Sequence, residues 1–171
     1  SISIFCNSFL PKWRKNINYF NSYSSSKVRG GGVLLDLSHE IDYLQWLFGR
    51  IDGIEYKKIK TISNLKIKSE DMAQVIGKIK NINLYLNLTY FSRHEERRII
   101  IDSNKETIVG DLINYNIKII DNKNLKNIKF KNIKNQTYID QHLAVLNNQT
   151  KNLCTIKDAK NTLSFIERLK G

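Results

Sequence analysis

The chain has 171 residues, 41% of them hydrophobic, and a formal net charge of +12, enough length and apolar content for one domain with its own core and too much for a disordered chain. No apolar run reaches the roughly 18 residues that span a bilayer and no secretory-leader pattern is present, so a cytoplasmic protein without membrane contact is expected. The lysines are dispersed among Asn and Ile with no aromatic-plus-basic recognition module, which argues against a nucleic-acid partner and leaves the charge as a field for an anionic substrate, such as a nucleotide or an acidic sugar.

Residues 1–9 alternate as a strand. The chain opens on Ser-Ile-Ser-Ile without an initiator methionine, and is expected to be a piece of a longer protein or a processed one. Residues 10–29 are polar and aromatic, hold the only proline, Pro11, and read as an ordered loop carrying Trp13, Arg14, Tyr19, Tyr23, Lys27 and Arg29. Residues 33–48 read as one amphipathic helix. Its apolar stripe is Val33, Leu34, Leu37, Ile41, Leu44 and Phe48, and its other side carries Asp36, His39, Glu40 and Tyr43. Gly30–Gly32 precede this helix and Gly49 closes it.

Short strands follow: a loose one over 51–62, a hairpin of 71–80 and 82–91 joined near Asn81, then 97–101, 106–112, 116–120 and a weak segment at 128–130. Leu84, Leu86 and Leu88 face one way and Tyr85 and Asn87 the other. The run Arg93-His94-Glu95-Glu96-Arg97-Arg98 reads as a charged turn. A helix over 137–147 has a broad apolar side on which Tyr138 and His142 are four apart. The last helix starts at Thr155, with Asp158 as an acidic variant of a capping box and Ile156, Ala159, Leu163, Ile166 and Leu169 as its core stripe. These elements make an α+β domain over residues 1–171, with an open, mostly antiparallel sheet and helices packed on one face. Cys6 and Cys154 have no metal-ligand spacing and suit a reducing compartment with a packing role, so no metal is expected.

The glycine–helix stretch carries the chemistry. Imidazole is the side chain that exchanges protons near neutral pH, which makes His39 an acid/base candidate. Asp36 and Asp42, each three residues away, are placed to orient its ring or to hold a substrate hydroxyl. Gly31 and Gly32, lacking Cβ, allow a ligand close to the backbone, where the first helical N–H groups favour an anion. The alternative for the same face is a solvated polar surface.

Residues 30–49, Gly-Gly-Gly-Val-Leu-Leu-Asp-Leu-Ser-His-Glu-Ile-Asp through Leu-Phe-Gly, resemble the central motif of the Gfo/Idh/MocA family of NAD(P)-dependent sugar oxidoreductases, which opens their C-terminal domain. Many members place the Asp four residues before the His with a glycine between; here Asp36 and His39 are three apart with Ser38 between. The resemblance implies His39 as the catalytic acid/base and Asp36 as the group that positions it or the substrate. Leu10-Pro11-Lys12-Trp13-Arg14 and the following tyrosines are similar to a segment of members associated with surface-sugar pathways. That similarity implies substrate contacts from Trp13, Arg14, Tyr19 and Tyr23, with Lys27, Gly31, Gly32 and Asp42 beside them.

No Gly-x-Gly-x-x-Gly follows a strand, and no Glu-Lys-Pro is present, so the chain has no Rossmann signature. The expectation is therefore the C-terminal half of a two-domain sugar or nucleotide-sugar dehydrogenase. NAD or NADP would be bound mainly by a separate N-terminal Rossmann domain, and the sheet would support a homo-oligomer. The alternative is a non-catalytic dimerisation or interaction module derived from such an enzyme.

Overall fold

Period-two alternation builds most of the molecule, and the computed structural model describes residues 1–131 and 133–171. Eight strands form one sheet: β1 (Ile2–Phe9), β2 (Gly53–Lys60), β3 (Met72–Ile79), β4 (Ile82–Thr89), β5 (Phe91–Asp102), β6 (Thr107–Asp111), β7 (Asn116–Ile120) and β8 (Leu125–Lys129), in the order β2-β3-β4-β1-β5-β6-β7-β8. All neighbours are antiparallel except β1 and β4. β1 is inserted between β4 and β5, two strands joined through Tyr90, and can run antiparallel to only one of them. Among the described residues this is the only sheet, and it contains no doubly wound nucleotide-binding unit.

One face is the core. Ile2, Ile4 and Cys6 of β1 lie beside Leu84, Leu86 and Leu88 of β4, with Ala73, Val75 and Ile79 of β3 and Ile99 of β5, all buried. Helices α1 (Val33–Asp36), α2 (Ser38–Phe48) and α4 (Ile156–Lys170) cover it. The expected single helix over 33–48 is two, broken at Leu37, whose φ of −103° and ψ of 22° leave the helical region. Its apolar stripe is buried as expected at Val33, Leu34, Leu37, Ile41 and Leu44.

Three expectations change. Residues 93–98 are not a turn but part of β5, because four of the charged side chains find partners along the strand. Glu96 accepts from Asn7, Arg98 lies over the Phe5 ring, Arg93 over the Phe9 ring, and Arg97 reaches Glu40. On α4 the buried stripe is Thr162, Phe165, Ile166 and Leu169, while Ile156 and Leu163 are exposed. Thr162 turns inward because its hydroxyl donates to Asp42 on α2 at 3.1 Å. Helix α3 (Gln136–Leu146) has no buried residue, and Tyr138 and His142 point to solvent, joined only through the His142 ring and the Tyr138 carbonyl. The capping box at Thr155 and Asp158 forms as read. Among the described residues no helix is long and apolar enough to cross a membrane.

Candidate active site

The start of α2 lies over the middle of the β1–β5 pair. Cys6 and Arg97 are register partners there, on the inward parity of Ile2 and Ile4 and of Ile99. Glu40, fully buried, points into this gap. Its Oε1 accepts from Arg97 Nε at 2.6 Å and lies 3.0 Å from His39 Nε2. Glu40 Oε2 and the Tyr43 hydroxyl are buried nearby without a hydrogen-bond partner. Glu40 was placed on the polar side by sequence. It falls three residues after Leu37 and four before Leu44, on the buried stripe, and the Arg97 guanidinium makes that burial tolerable.

Burial alone would raise the Glu40 carboxyl. The His39 imidazole 3.0 Å away and the Arg97 charge outweigh it and hold the carboxyl below its ordinary 4.5. Burial and the Glu40 charge push the Cys6 thiol up to about 12, and push the Tyr43 hydroxyl up as well. Ligand-type atoms of Cys6, His39 and Glu40 come within 4.8 Å of one another, which their sequence spacing did not reveal. This donor set does not suit a divalent cation: a guanidinium already occupies Glu40 Oε1, and the thiol is held protonated.

A carboxyl lowered by folding adds stability that is complete above its unfolded value and is lost as pH falls through its folded value. Glu40→Gln is therefore expected to remove part of the acid sensitivity of the fold below about pH 4.5. Denaturant melts from pH 6 down to pH 3 check this; an unchanged slope would show that the buried pair is not linked to protons.

Asp36, at the end of α1, accepts a hydrogen bond from the Tyr90 hydroxyl and makes none to His39. The helix break at Leu37 is the reason: a three-residue spacing counted across it no longer places both side chains on one face. The group on the His39 ring is its neighbour Glu40 instead. Burial, then the hydrogen bond and charge of Asp36, then Glu70 and Tyr23, push the Tyr90 hydroxyl far up. Trp13 meets the Tyr90 ring edge-on at 5.1 Å, and Arg14 lies 5.0 Å over the Tyr23 ring. Trp13, Arg14, Tyr23, Tyr90 and Asp36 thus share one neighbourhood.

The remaining candidates are placed elsewhere. The Tyr19 hydroxyl accepts from the Lys66 backbone N–H. Asp42 faces α4, accepting from Thr162 and lying 3.6 Å from the Cys154 sulfur. Gly31 and Gly32 pack closely against this chain's own atoms. A Cβ on Gly31 would collide with the Tyr23 and Ser24 carbonyl oxygens, and one on Gly32 with the Glu70 carboxylate. Glu70 also accepts at its carbonyl from Val33 N–H, so the close approach to the start of α1 is made by this chain's own atoms. Lys27 is exposed and, with Lys58, Lys60, Lys68 and Lys170, lines a depression of about 710 Å³ that Glu70 also lines.

Tyr90 and Arg97 had a signal in the sequence. Tyr90 continues the inward row Leu84, Leu86 and Leu88, and Arg97 has the parity of Ile99. A polar tip at the end of an apolar row needs a buried partner.

Residues 4–109 match the model of the GFO/IDH/MocA C-terminal domain. The chain belongs to the Gfo/Idh/MocA C-terminal domain family. No curated protein matches the sequence. UDP-N-acetylglucosamine 3-dehydrogenase GnnA from Acidithiobacillus ferrooxidans superposes with a TM-score of 0.73 at 14% identity, over 99% of this chain and 51% of that one. The WlbA dehydrogenase from Bordetella pertussis, solved with NADH and UDP-GlcNAcA, gives 0.67 at 19% identity over 99% and 50%. The super-repressor mutant of Gal80p from Saccharomyces cerevisiae gives 0.66 at 14% identity over 90% and 46%. This Gfo/Idh/MocA domain therefore spans about half the length of the structures it matches.

Proposed function

We propose that the chain is the substrate-binding and acid/base domain of an NAD(P)-dependent sugar or nucleotide-sugar dehydrogenase, with His39 as the proton-exchanging group. The observation that carries this is a half-exposed imidazole in the glycine–helix motif, held at Nε2 beside a buried carboxylate. A surface histidine of no function does not call for a fully buried glutamate underneath it.

The described residues contain no glycine-rich βαβ turn, so this chain does not itself fit a dinucleotide, and a separate domain would hold it. NAD or NADP supplies the hydride acceptor or donor. The chain's own part is to bind the sugar and to take up or return the hydroxyl proton at His39. Trp13, Arg14 and Tyr23 offer stacking and charge beside the Asp36–Tyr90 pair, where Asp36 is the group for a sugar hydroxyl. The lysine-lined depression containing Lys27 suits the anionic part of a nucleotide sugar.

The sheet face away from the helices carries Phe5, Ile76, Tyr85 and Ile100, flanked by the amide row of Asn7, Asn87 and Gln74, and is the surface for a second copy. The observation favouring a non-catalytic interaction module is that the described residues hold no cofactor cradle, in a fold also found in Gal80p.

A two-domain form of the protein, supplied with NAD⁺ or NADP⁺ and a panel of UDP-linked sugars, separates the two readings. Reduction of the cofactor at 340 nm by a sugar, from a species that sediments as more than one copy, is expected. No turnover and no cofactor binding, from a stable oligomer, would leave the interaction module.

A further inference from the structure

We propose that Glu40, held by Arg97, is the positioning residue of the site, fixing the His39 ring so that Nδ1 is the nitrogen that exchanges a proton with substrate. This rests on the acid/base reading of His39. It assigns a role to two residues, Glu40 and Arg97, outside the motif pair of Asp36 and His39, and it names the reacting atom.

The argument is one of donors and acceptors. An ionised carboxylate only accepts hydrogen bonds. Glu40 Oε1 already takes one from Arg97 Nε at 2.6 Å, and His39 Nε2 lies 3.0 Å from the same oxygen. A carboxylate oxygen 3.0 Å from Nε2 favours the proton of the neutral ring on that nitrogen, which leaves the lone pair on Nδ1. Among the described residues no side chain or backbone group bonds to His39 Nδ1, and the side chain is 50% exposed. The ring is thus anchored at one nitrogen and open at the other, the arrangement in which a histidine acts as a base and then as an acid.

The contact is not a by-product of helix geometry. Consecutive residues on a helix do not face each other. His39 and Glu40 meet because Glu40 turns beneath α2 toward β5, where Arg97 waits on an inward position opposite Cys6. The first turn of α2 also favours a carboxylate over a neutral side chain there. Cys6, the other polar neighbour, stays a neutral thiol and does not compete for the charge.

In the oxidising direction the substrate O–H bond breaks and its proton moves to Nδ1, while the hydride from the same carbon would pass to the NAD⁺ or NADP⁺ of the separate domain as the C=O bond forms. The ring becomes an imidazolium with its Nε2–H still on Glu40, so the new charge forms 3.0 Å from a carboxylate that needs no rearrangement to receive it. In the reducing direction the same proton returns to the alkoxide oxygen.

Long-range ¹H–¹⁵N NMR of the ¹⁵N-labelled chain reads the tautomer directly. His142 is an internal control: its Nδ1 faces the Tyr138 carbonyl at 2.7 Å, so the neutral ring carries its proton on Nδ1. His39 is expected to show the opposite form, Nε2–H, in the same spectrum. Glu40→Gln is expected to give mixed tautomers at His39 alone. In the two-domain form it should lower kcat by at least tenfold with KM within about twofold. If Glu40→Gln does not fold, the wild-type spectrum decides by itself. A wild-type His39 in the Nδ1–H form, or in a mixture, overturns the proposal even where His39→Ala is inactive. A clean Nε2–H ring in a protein whose His39→Ala variant turns over normally overturns instead the acid/base reading, and with it the role of Nδ1.

Discussion

His39→Ala, made in a two-domain form of the protein, is expected to lower kcat by roughly 10²–10⁴-fold, the usual range for loss of a positioned acid/base group. The fold should survive, because half of the side chain is in solvent and no core residue rests on it. Substrate affinity should change little, since Trp13, Arg14 and Tyr23 are untouched. One structural consequence does follow: the Glu40 carboxylate loses its 3.0 Å contact with the imidazole and keeps Arg97. A drop of several degrees in Tm beside the loss of turnover would therefore still be consistent, whereas unchanged turnover would remove His39 from the chemistry. His39→Gln separates the two effects. Its amide keeps a donor for Glu40 but cannot shuttle a proton, so stability should return and turnover should not. Asp36→Asn offers a contrast. Its carboxylate serves the Tyr90 hydroxyl and not the His39 ring, so the effect should fall on substrate binding.

Much of the framework could be read from residue pattern. Alternation located β1 and the β3–β4 hairpin, because both strands have one face in the core and period two is then enforced by burial. Thr155 and Asp158 announced the start of α4 because a capping box is a local, reciprocal pair of hydrogen bonds. What pattern could not show was set by long-range contacts. Arg93 to Arg98 read as a turn because six charged or polar residues rarely stay extended in isolation; here partners on β1 and α2 keep them in β5. The inward face of α4 was misplaced because Thr162 is polar, and its burial is made favourable by Asp42 and Gln45 on another helix. The site was half legible for the same reason. The glycine–helix wording pointed to His39. Its partner Glu40 was hidden by its charge: helical spacing from Leu37 and Leu44 puts it on the apolar stripe, but a carboxylate reads as solvent-facing until Arg97 is seen beside it. Tyr90 and Arg97 are 54 and 57 residues from the side chains they meet.

The glycine triplet gives the second large effect, and it is structural. Gly31→Ala is expected to destabilise the chain at or above the upper end of the ~1–3 kcal/mol typical of overpacking. Its Cβ would fall 2.6 Å from the Ser24 carbonyl oxygen and nearer still to that of Tyr23, both backbone atoms, against an optimum of about 3.5–4.0 Å for nonbonded contacts. Side chains relieve crowding by changing rotamer; two carbonyls in the ordered turns of residues 19–29 cannot. Those turns are fixed by Ser22 and Ser25 hydroxyls donating to backbone carbonyls, by Arg29 reaching the Asn21 and Ser22 carbonyls, and by Gly31 N–H donating to Ser26. Moving them would also shift Tyr23, and with it the aromatic side of the candidate site. Gly30→Ala is the matched control. Its φ of +77° carries the ordinary left-handed cost, but no heavy atom lies within 4 Å of the added Cβ. Thermal melts of the two variants without any ligand decide the point. A Gly31→Ala chain less stable than the Gly30→Ala chain means that this part of the motif is spent on seating the loop that carries Trp13, Arg14 and Tyr23. Equal stability, with sugar binding lost only in Gly31→Ala, would return the triplet to the role of a ligand cradle.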